Sequence, residues 1–447
     1  MIDPELAQKA VRLALERGAT DAECTLAEGD EFSAVVRMQS LEKLIDAGSR
    51  SAGLRVLVGQ RTGSAYTSDL SSEGIRKLVE SALAVAEITT DDPYAGLPDA
   101  AELGTISGDL QLYSDDVNAV DTAERVREAL ETEEAAFATD PRITNSEGAS
   151  FGAYSGERVF ANSRGFVGSY RMSSCSLSTT PVARQGDSME RDYWFSSARS
   201  HAKLESPAAI GRRAAERTVR RLGARKVSTQ NVPVIFDPMT ARSLIGAIFD
   251  AIEGDAVYRN ASFLAGKLGE RVASEQVTII DDGTIPGLFG TSPFDDEGVP
   301  SRRTVVIDRG VLRSYLLNTY TARKLGLRTT GNAARGVTGN AGVGHGNFFL
   351  EKGTRSPEEM IRGVRQGLYV TELIGQGVNI VTGDYSRGAA GLWIENGEFA
   401  YPVSEITIAS TLQRMLTGLE TVGSDLEFRG SVASPTLLIG EMTISGQ

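Results

Sequence analysis

Residues 21–69 alternate apolar and polar side chains with a period of two, which predicts strands for this part of the chain. Glycine, aspartate and serine interrupt the alternation at short intervals, in the segments DAECTLAEGD, EFSAVVRMQS, LEKLIDAG, SAGLRVLVGQ and RTGSAYTSD. Such strands bury one face, and the interruptions mark tight turns. The pattern therefore predicts antiparallel hairpins. Further strands follow residue 143, with Ser163-Arg164-Gly165 as a hairpin tip.

Helices are predicted between these strand groups, which makes the fold class α+β. Apolar residues recur at helical spacing over residues 4–17, 72–86, 119–137, 207–222, 358–370 and 412–422. A chain of 447 residues exceeds one typical domain. A change to Asp, Pro and Gly around residues 89–112 and a strand beginning near Val227 predict three segments. They are an N-terminal α+β segment (1–110), a middle α+β segment (111–227) and a C-terminal β-rich domain (228–447).

Composition narrows the classes of partner. The chain has 46 basic and 59 acidic residues and a net charge of −13, which argues against a phosphate-binding surface and hence against nucleic acid as a direct partner. No apolar run approaches the roughly 20 residues of a membrane span, and the first helix lacks the apolar core of a signal peptide. Cys24 and Cys175 are expected to be reduced thiols. These features indicate a cytoplasmic protein with no membrane partner.

A helix followed by a dense run of small and charged groups is where we expect chemistry. Within residues 239–271, the residues Leu244, Ile248 and Ile252 form the apolar stripe of an amphipathic helix. The helix runs into Glu253-Gly254-Asp255 and then into a mixture of glycine, lysine and arginine that is too charged for a plain connection.

Five motifs make the chain similar to the TldD/PmbA family of bacterial and archaeal peptidases, and closer to its PmbA branch, also called TldE, than to its TldD branch. The motifs are EGD…YRNASFLAGKLGERV, VTIIDDGTIPG, DDEGVP, VTGDYSRGAAGLWIENGEFAYPV and EITIAS. The resemblance implies an N-terminal part of helices packed on antiparallel sheet. It also implies a C-terminal part built on a strongly curved, barrel-like sheet.

The resemblance also implies that the metal site of the TldD branch is degenerate here. TldD carries a His-Glu-three-residues-His motif just ahead of Glu-Gly-Asp and binds a metal with it and a later cysteine. The same positions hold Ile245, Gly246 and Asp250, and the only histidines are His201 and His345. We therefore predict no catalytic and no metal-binding residue in this chain. A metal, expected to be zinc, would belong to the partner.

By this resemblance the chain is the subunit without a metal in a cytoplasmic TldD/TldE protease that acts on unfolded peptides. The family is linked to maturation of a peptide antibiotic, degradation of an antitoxin and modulation of DNA gyrase. Two alternatives stay open. One is a homodimeric peptide-binding or regulatory protein without a catalytic role. The other is a hydrolase whose centre is formed by the carboxylates Glu253, Asp255, Asp295 and Asp296.

The candidates for a peptide-binding cleft are Glu253, Asp255, Asp295, Asp296, Asp384 and Arg387. Asp295-Asp296-Glu297 either hold a metal or serve as acid and base, or they form a solvated turn, and the solvated turn is the favoured interpretation. Asp384 and Arg387 either lie on a strand edge that accepts a peptide by strand addition or pair with each other in a sheet turn. His345, in the glycine-rich stretch 331–349, is interpreted as a structural loop histidine rather than a general base. The arginine run of helix 207–222 fits a solvated face better than an acidic partner.

Overall fold

The alternating segments of the first 200 residues fold into one seven-stranded antiparallel sheet. The computed structural model describes residues 2–446. The strand order is β3-β2-β1-β4-β5-β6, and β7 pairs with β5. The strands are β1 (Asp21–Arg37), β2 (Ser40–Val58), β3 (Arg61–Thr67), β4 (Ile143–Asn162), β5 (Val167–Gln185), β6 (Ser188–Arg191) and β7 (Trp194–Ala198). Because β1 pairs with β4, the strands of the predicted N-terminal and middle segments share a single sheet.

Five helices accompany this sheet; the sequence predicts four of them, but not the short helix Asp116–Ala119. They are α1 (Pro4–Glu16), α2 (Ser72–Ile88), α3 (Asp116–Ala119), α4 (Thr122–Thr139) and α5 (Pro207–Val219). Side chains at the N-caps fix where the longer ones begin: Asp3 accepts a hydrogen bond from the amide of Glu5, and Ser71 accepts one from the amide of Gly74. Alanines on the inner face of α1 and α2 are fully buried, which lets both helices lie close to β1 and β2.

The C-terminal part is built on a closed barrel, which confirms the curved, barrel-like sheet. Strand β17 pairs with both β16 and β20, so the order β17-β16-β15-β8-β20 returns to its start, and β18 attaches to β20. A smaller sheet has the order β11-β10-β9-β14-β19, and β12 pairs with β13. The strands are β8 (Gln230–Phe236), β9 (Ile279–Asp282), β10 (Arg303–Asp308), β11 (Val311–Leu312), β12 (Ala333–Ala334), β13 (Gly342–Val343), β14 (Asn347–Leu350), β15 (Gln366–Ile374), β16 (Asp384–Glu395), β17 (Glu398–Thr411), β18 (Leu419–Val422), β19 (Val432–Ala433) and β20 (Leu437–Ser445).

Five helices belong to the C-terminal part, and two of them are shorter than predicted. They are α6 (Pro238–Ile252), α7 (Gly254–Tyr258), α8 (Thr319–Leu325), α9 (Pro357–Arg362) and α10 (Leu412–Thr417). The predicted helix over residues 358–370 is wrong in its second half, because residues 366–370 belong to β15 between β8 and β16. The predicted helix over 412–422 likewise gives way to β18. At both places pairing with distant strands outweighs the local apolar spacing.

The two parts meet where the glycine-rich stretch after β12 lies across β2. A side chain at Gly53 of β2 would place its Cβ 1.7 Å from the backbone oxygen of Val337, a distance that only glycine avoids. Beside this contact, Arg335 and Arg55 both bond to the buried carboxylate of Glu23. The N-terminal sheet and the C-terminal loops are therefore joined by close backbone packing and by buried charge.

Candidate functional site

Helix α6 forms at the predicted place and has a fixed beginning and end. The carboxylate of Asp237 accepts hydrogen bonds from the amide and the hydroxyl of Thr240, at 2.8 and 2.9 Å, and Pro238 occupies the first turn. Leu244, Ile248 and Ile252 are buried in the barrel core. The positions of the resembled metal motif therefore lie on a well-defined helix.

The three motif positions differ in their surroundings. Ile245 is 2% exposed and packs in the apolar core. At Gly246 an added Cβ would meet nothing within 4 Å, so the space beside the helix is open there. Asp250 is exposed near the end of α6, and desolvation raises its pKa while the neighbouring His345 lowers it.

The two carboxylates that follow α6 serve as helix-terminal groups. The side chain of Glu253 accepts hydrogen bonds from the amides of Ala256 and Asp255, at 2.9 and 3.2 Å, and so caps α7. Desolvation raises the pKa of Glu253. Asp255 lies 3.9 Å from Arg259, one turn further along the same helix. Neither carboxylate contacts Asp295 or Asp296 through a hydrogen bond.

In the acidic loop, Asp295 and Glu297 are buried and Asp296 is half-buried, which contradicts the expectation of a solvated turn. Both oxygens of Asp295 accept hydrogen bonds from backbone amides: Oδ1 from Glu297 and Val299, and Oδ2 from Ala333. Asp296 pairs with Arg158 at 2.8 Å. The buried Glu297 accepts a hydrogen bond from the amide of Thr319. The loop is held by groups that are distant in sequence.

Burial changes the protonation of this loop. Desolvation and the neighbouring charge of Glu297 raise the pKa of Asp295 to about 8, although three backbone hydrogen bonds oppose the shift. Desolvation also raises the pKa of Glu297. Because every oxygen of Asp295 is engaged by the backbone, this side chain organises the loop rather than offering a free acid or base.

Replacing Asp295 by alanine is expected to lower the free energy of unfolding by about 1–3 kcal/mol. The change leaves three backbone amides without their acceptor, and water in the adjoining cavity replaces part of the lost bonding. Urea denaturation at constant pH measures the effect. Asp308→Ala is the matched control. Asp308 is half exposed, and its ion pair with Arg313, at 3.4 Å, lies on the surface and contributes little stability. Equal effects of the two changes would contradict the assigned role.

A cavity of about 240 Å³ lies between the two parts of the chain, beside the acidic loop. Asp281 of β9, His345 and Arg199 line it together with Asp295 and Asp296. The ring of His345 packs edge-on against Phe249 of α6 at 4.7 Å, and its Nδ1 lies 2.9 Å from the oxygen of Gly346. The loop histidine is therefore part of the cavity wall.

Asp281 is the buried carboxylate in this wall that the sequence interpretation missed. It is 2% exposed, and its Oδ2 accepts a hydrogen bond from Asn332 at 2.7 Å. Desolvation raises the pKa of Asp281 to about 7 despite the hydrogen bond from Asn332. The signal in the sequence, Asp281-Asp282 at the end of an apolar strand, gave no indication that the first carboxylate would be buried.

Asp384 and Arg387 lie on β16 and do not pair with each other. Asp384 accepts a hydrogen bond from the hydroxyl of Thr382 at 2.6 Å, and Arg387 donates to Ser243 of α6 at 3.4 Å. Both edges of this stretch are already occupied, by β17 on one side and by residues 377–379 on the other. The structure shows neither of the two alternatives left open for these residues, a free strand edge or an Asp384–Arg387 pair, because local pattern does not reveal the neighbouring strands. An unpaired strand edge lies instead on β2: residues 40–51 pair with β1 on one side and with no strand of residues 2–446 on the other.

Comparisons with known proteins cover the whole chain. Domain profiles of the PmbA/TldA metallopeptidases match residues 22–86 (domain 1), 115–222 (central domain) and 229–446 (C-terminal domain). Metalloprotease PmbA of Escherichia coli O157:H7 is 39% identical over 446 residues, which cover 99% of this chain and 97% of that protein. The chain belongs to the PmbA/TldD family.

Solved structures agree with this membership of the PmbA/TldD family. A crystal structure from Bacteroides thetaiotaomicron, described as a modulator of DNA gyrase, matches with a TM-score of 0.92 and 28% identity and covers 99% of this chain and 98% of that one. TldE from Thermococcus kodakarensis matches with a TM-score of 0.88 over 99% and 100% of the two chains, at 22% identity. The full-length identity to PmbA confirms the resemblance to the PmbA branch, and the solved structures confirm the α+β fold with its barrel.

The motif positions of this PmbA/TldD family member do not fit a metal ion. Ile245 offers no donor atom and is buried among apolar groups, Gly246 has no side chain, and Asp250 supplies a single carboxylate. Within residues 2–446, no group of three or more His, Cys, Asp or Glu side chains is placed to hold a metal. None of the helices formed by those residues is long and apolar enough to cross a membrane.

Proposed function

We propose that this chain is the PmbA/TldE-like subunit of a cytoplasmic TldD/TldE metalloprotease complex that acts on unfolded peptides, in peptide maturation or degradation. The TldD-like partner supplies the metal, expected to be zinc, and performs the hydrolysis. This chain closes and shapes the space in which the peptide is held. The observation that supports the proposal is the occupancy of the motif positions on α6 by Ile245, Gly246 and Asp250.

The chemistry of peptide hydrolysis explains why those three positions decide the proposal. A catalytic zinc ion takes three protein ligands and keeps one position for water, and a carboxylate beside it moves the proton. Ile245 replaces a ligand by an apolar core group, and Gly246 replaces the carboxylate by a hydrogen atom. Asp250 alone cannot supply both functions. The chain thus depends on a second subunit for chemistry.

Reconstitution with the TldD-like counterpart tests the proposal. We expect the purified chain to contain no stoichiometric metal by inductively coupled plasma mass spectrometry and to cleave no unfolded peptide. Size-exclusion chromatography of the mixture should give a one-to-one complex, and that complex should cleave the peptide faster than the counterpart alone. A counterpart whose motif glutamate is changed to glutamine is the control: it should still form the complex but lose cleavage.

Two results would contradict the proposal, and each supports one alternative. A stable homodimer that retains peptides and forms no complex with the counterpart would indicate a peptide-binding or regulatory protein. Peptidase activity of the lone chain that disappears in the variant Asp295→Asn with Asp296→Asn would indicate a carboxylate-based hydrolase. The backbone bonds that occupy Asp295 disfavour the second alternative.

A further inference from the structure

A second cavity, of about 290 Å³, is unusually rich in arginine for a chain with a net charge of −13. It lies between α5, β7, the first turn of α6 and the segment around β19. Five arginines line it, together with Trp194 and Tyr369; they are Arg213, Arg217, Arg220, Arg242 and Arg429. This arginine cavity is separate from the cavity beside the acidic loop, with which it shares no lining residue.

The five arginines fall into two groups. Arg217 and Arg429 are neutralised: Arg217 lies 3.2 Å from Asp192, and Arg429 lies 2.9 Å from Glu205. The other three, Arg213, Arg220 and Arg242, form no ion pair with any carboxylate of residues 2–446. Three guanidinium groups without a carboxylate thus converge on one space.

Four acidic residues also line the cavity, so it has no large net positive charge, and an anion would be recognised by the three guanidinium groups that have no ion pair. Asp237 caps α6, and Asp425 accepts hydrogen bonds from the amide and hydroxyl of Thr436, at 2.9 and 2.7 Å. Glu427 is bonded to Arg429 at 2.7 Å. The fourth acid, Glu358, is exposed on α9. Each of the first three is therefore engaged with a group other than the three unpaired arginines.

One of the unpaired arginines is held in place without an anion, and a second is half-buried. The guanidinium of Arg213 lies over the ring of Trp194, 4.1 Å from its centroid, which orients the group while leaving its N–H donors free. Arg220 is half-buried, its Nε has no hydrogen-bond partner, and desolvation lowers the pKa of its guanidinium. A half-buried cation without a partner is costly, and an incoming anion removes that cost.

We propose that the arginine cavity binds an oxyanion, either the C-terminal carboxylate of a peptide or a phosphate. Arginine favours these groups because its planar fork of N–H donors matches two oxygens at once. The peptide carboxylate is the source expected from the proposed function, and this choice of source rests on that function. The site would hold one end of an extended peptide by its charge, independently of its side chains.

Calorimetric titration of the full chain alone tests the site. The probes are an unstructured ten-residue peptide with a free C-terminal carboxylate, the same peptide with a C-terminal amide, and inorganic phosphate. We expect the acid to bind at least tenfold more tightly than the amide and phosphate to compete with the acid. Arg213→Gln and Arg220→Gln should each reduce binding of the acid to the level of the amide.

Arg212→Gln is the matched control, because Arg212 is the exposed neighbour of Arg213 on α5 and does not line the cavity. It should bind the acid as the unchanged chain does. Phosphate binding that depends on Arg213 and Arg220 without any preference for the peptide acid would support the oxyanion site and assign it to phosphate. Equal binding of acid and amide with no phosphate binding would overturn the proposal, as would equal effects of Arg212→Gln and Arg213→Gln.

The outcome is independent of the proposed subunit role. The titration needs neither the TldD-like counterpart nor peptide cleavage, so an absent complex leaves the binding result interpretable. Conversely, a complex that cleaves peptides while the lone chain ignores the carboxylate would overturn the arginine cavity alone. Because Arg213 is exposed, its replacement tests the site without disturbing the core, which separates lost binding from lost folding.

Discussion

Replacing Glu23 by alanine is expected to lower the free energy of unfolding by about 3–5 kcal/mol. The Glu23 side chain is 1% exposed, and its Oε1 accepts hydrogen bonds from Arg55 of β2 and from Arg335 of the glycine-rich stretch. The side chains of Arg335 and Arg55 are 3% and 9% exposed. Without the carboxylate, two buried guanidinium groups lose their counter-charge and water cannot replace it.

Urea denaturation followed by circular dichroism measures this change, and Glu31→Ala is its control. Glu31 lies on the same strand and is exposed, so its replacement should stay within about 0.5 kcal/mol of the unchanged chain. The loss of unfolding free energy in Glu23→Gln should lie between those of Glu23→Ala and Glu31→Ala, because glutamine retains the shape of the side chain and one acceptor oxygen but not the charge. Similar values for Glu23→Ala and Glu31→Ala would show that the buried ion pairs contribute no net stability.

The effect should also depend on pH. Burial alone would raise the pKa of Glu23, but the charges of Arg335 and Arg55 outweigh it and hold the pKa below its ordinary value. A depressed carboxylate pKa contributes stability that is present above the unfolded value, about 4.3, and is lost as the pH falls through the folded value. The difference between Glu23→Ala and the unchanged chain should therefore be constant near neutral pH and narrow in acid.

Local rules predicted those parts of the fold whose contacts are local. The period-two segments predicted the strands β1 to β3, and Ser163-Arg164-Gly165 predicted the turn between β4 and β5, where Gly165 has a positive φ. The interruptions at Gly29-Asp30 and Gly48-Ser49 form no turns, because β1 and β2 continue through them. The barrel was expected from the family resemblance alone. Its closure by β17 and β20 depends on strands far apart in sequence, and the same long-range pairing turned residues 366–370 from the predicted helix into β15.

Only those properties of the candidate site that depend on residue identity alone could be predicted from the sequence. The motif positions Ile245, Gly246 and Asp250 could be read directly, since they require only an alignment to Glu253-Gly254-Asp255. The burial of Asp295 depends on the amide of Ala333, and nothing near Asp295 in sequence indicates that contact. The sequence also identified the arginine run of α5. It could not show which of these arginines line a cavity and which face solvent, because that depends on the packing of α5 against distant elements.

Replacing Asp281 by asparagine is expected to stabilise the chain at pH 8 and to have little effect at pH 4. Desolvation raises the pKa of Asp281 to about 7, whereas an unfolded aspartate titrates near about 3.9. The folded state therefore holds its proton over this interval, and the stability contributed by Asp281 falls as the pH rises from about 4 to 7. Asparagine cannot ionise, so the variant escapes this loss.

The difference in free energy of unfolding between Asp281→Asn and the unchanged chain should grow with pH and reach a plateau on the order of 2–4 kcal/mol above pH 7. Each pKa unit of the shift corresponds to about 1.4 kcal/mol for a buried group. The asparagine introduced at position 281 can still accept the hydrogen bond that Asn332 donates to Oδ2 of Asp281. The substitution therefore preserves the contact that holds the loop. Urea denaturation at pH 5, 6, 7 and 8 gives the profile.

Asp282→Asn, one residue along β9, is the control for this experiment. The Oδ1 of Asp282 accepts hydrogen bonds from the amide and hydroxyl of Thr284, at 2.9 and 2.6 Å; asparagine can accept both bonds but lacks the charge that strengthens them, so this replacement should not stabilise the chain. A gain for Asp281→Asn that stays constant from pH 5 to 8 would mean that Asp281 does not titrate in this range. A gain that rises with pH would identify Asp281 as a carboxyl group that is neutral within the cavity below pH 7, able to donate as well as accept a hydrogen bond there.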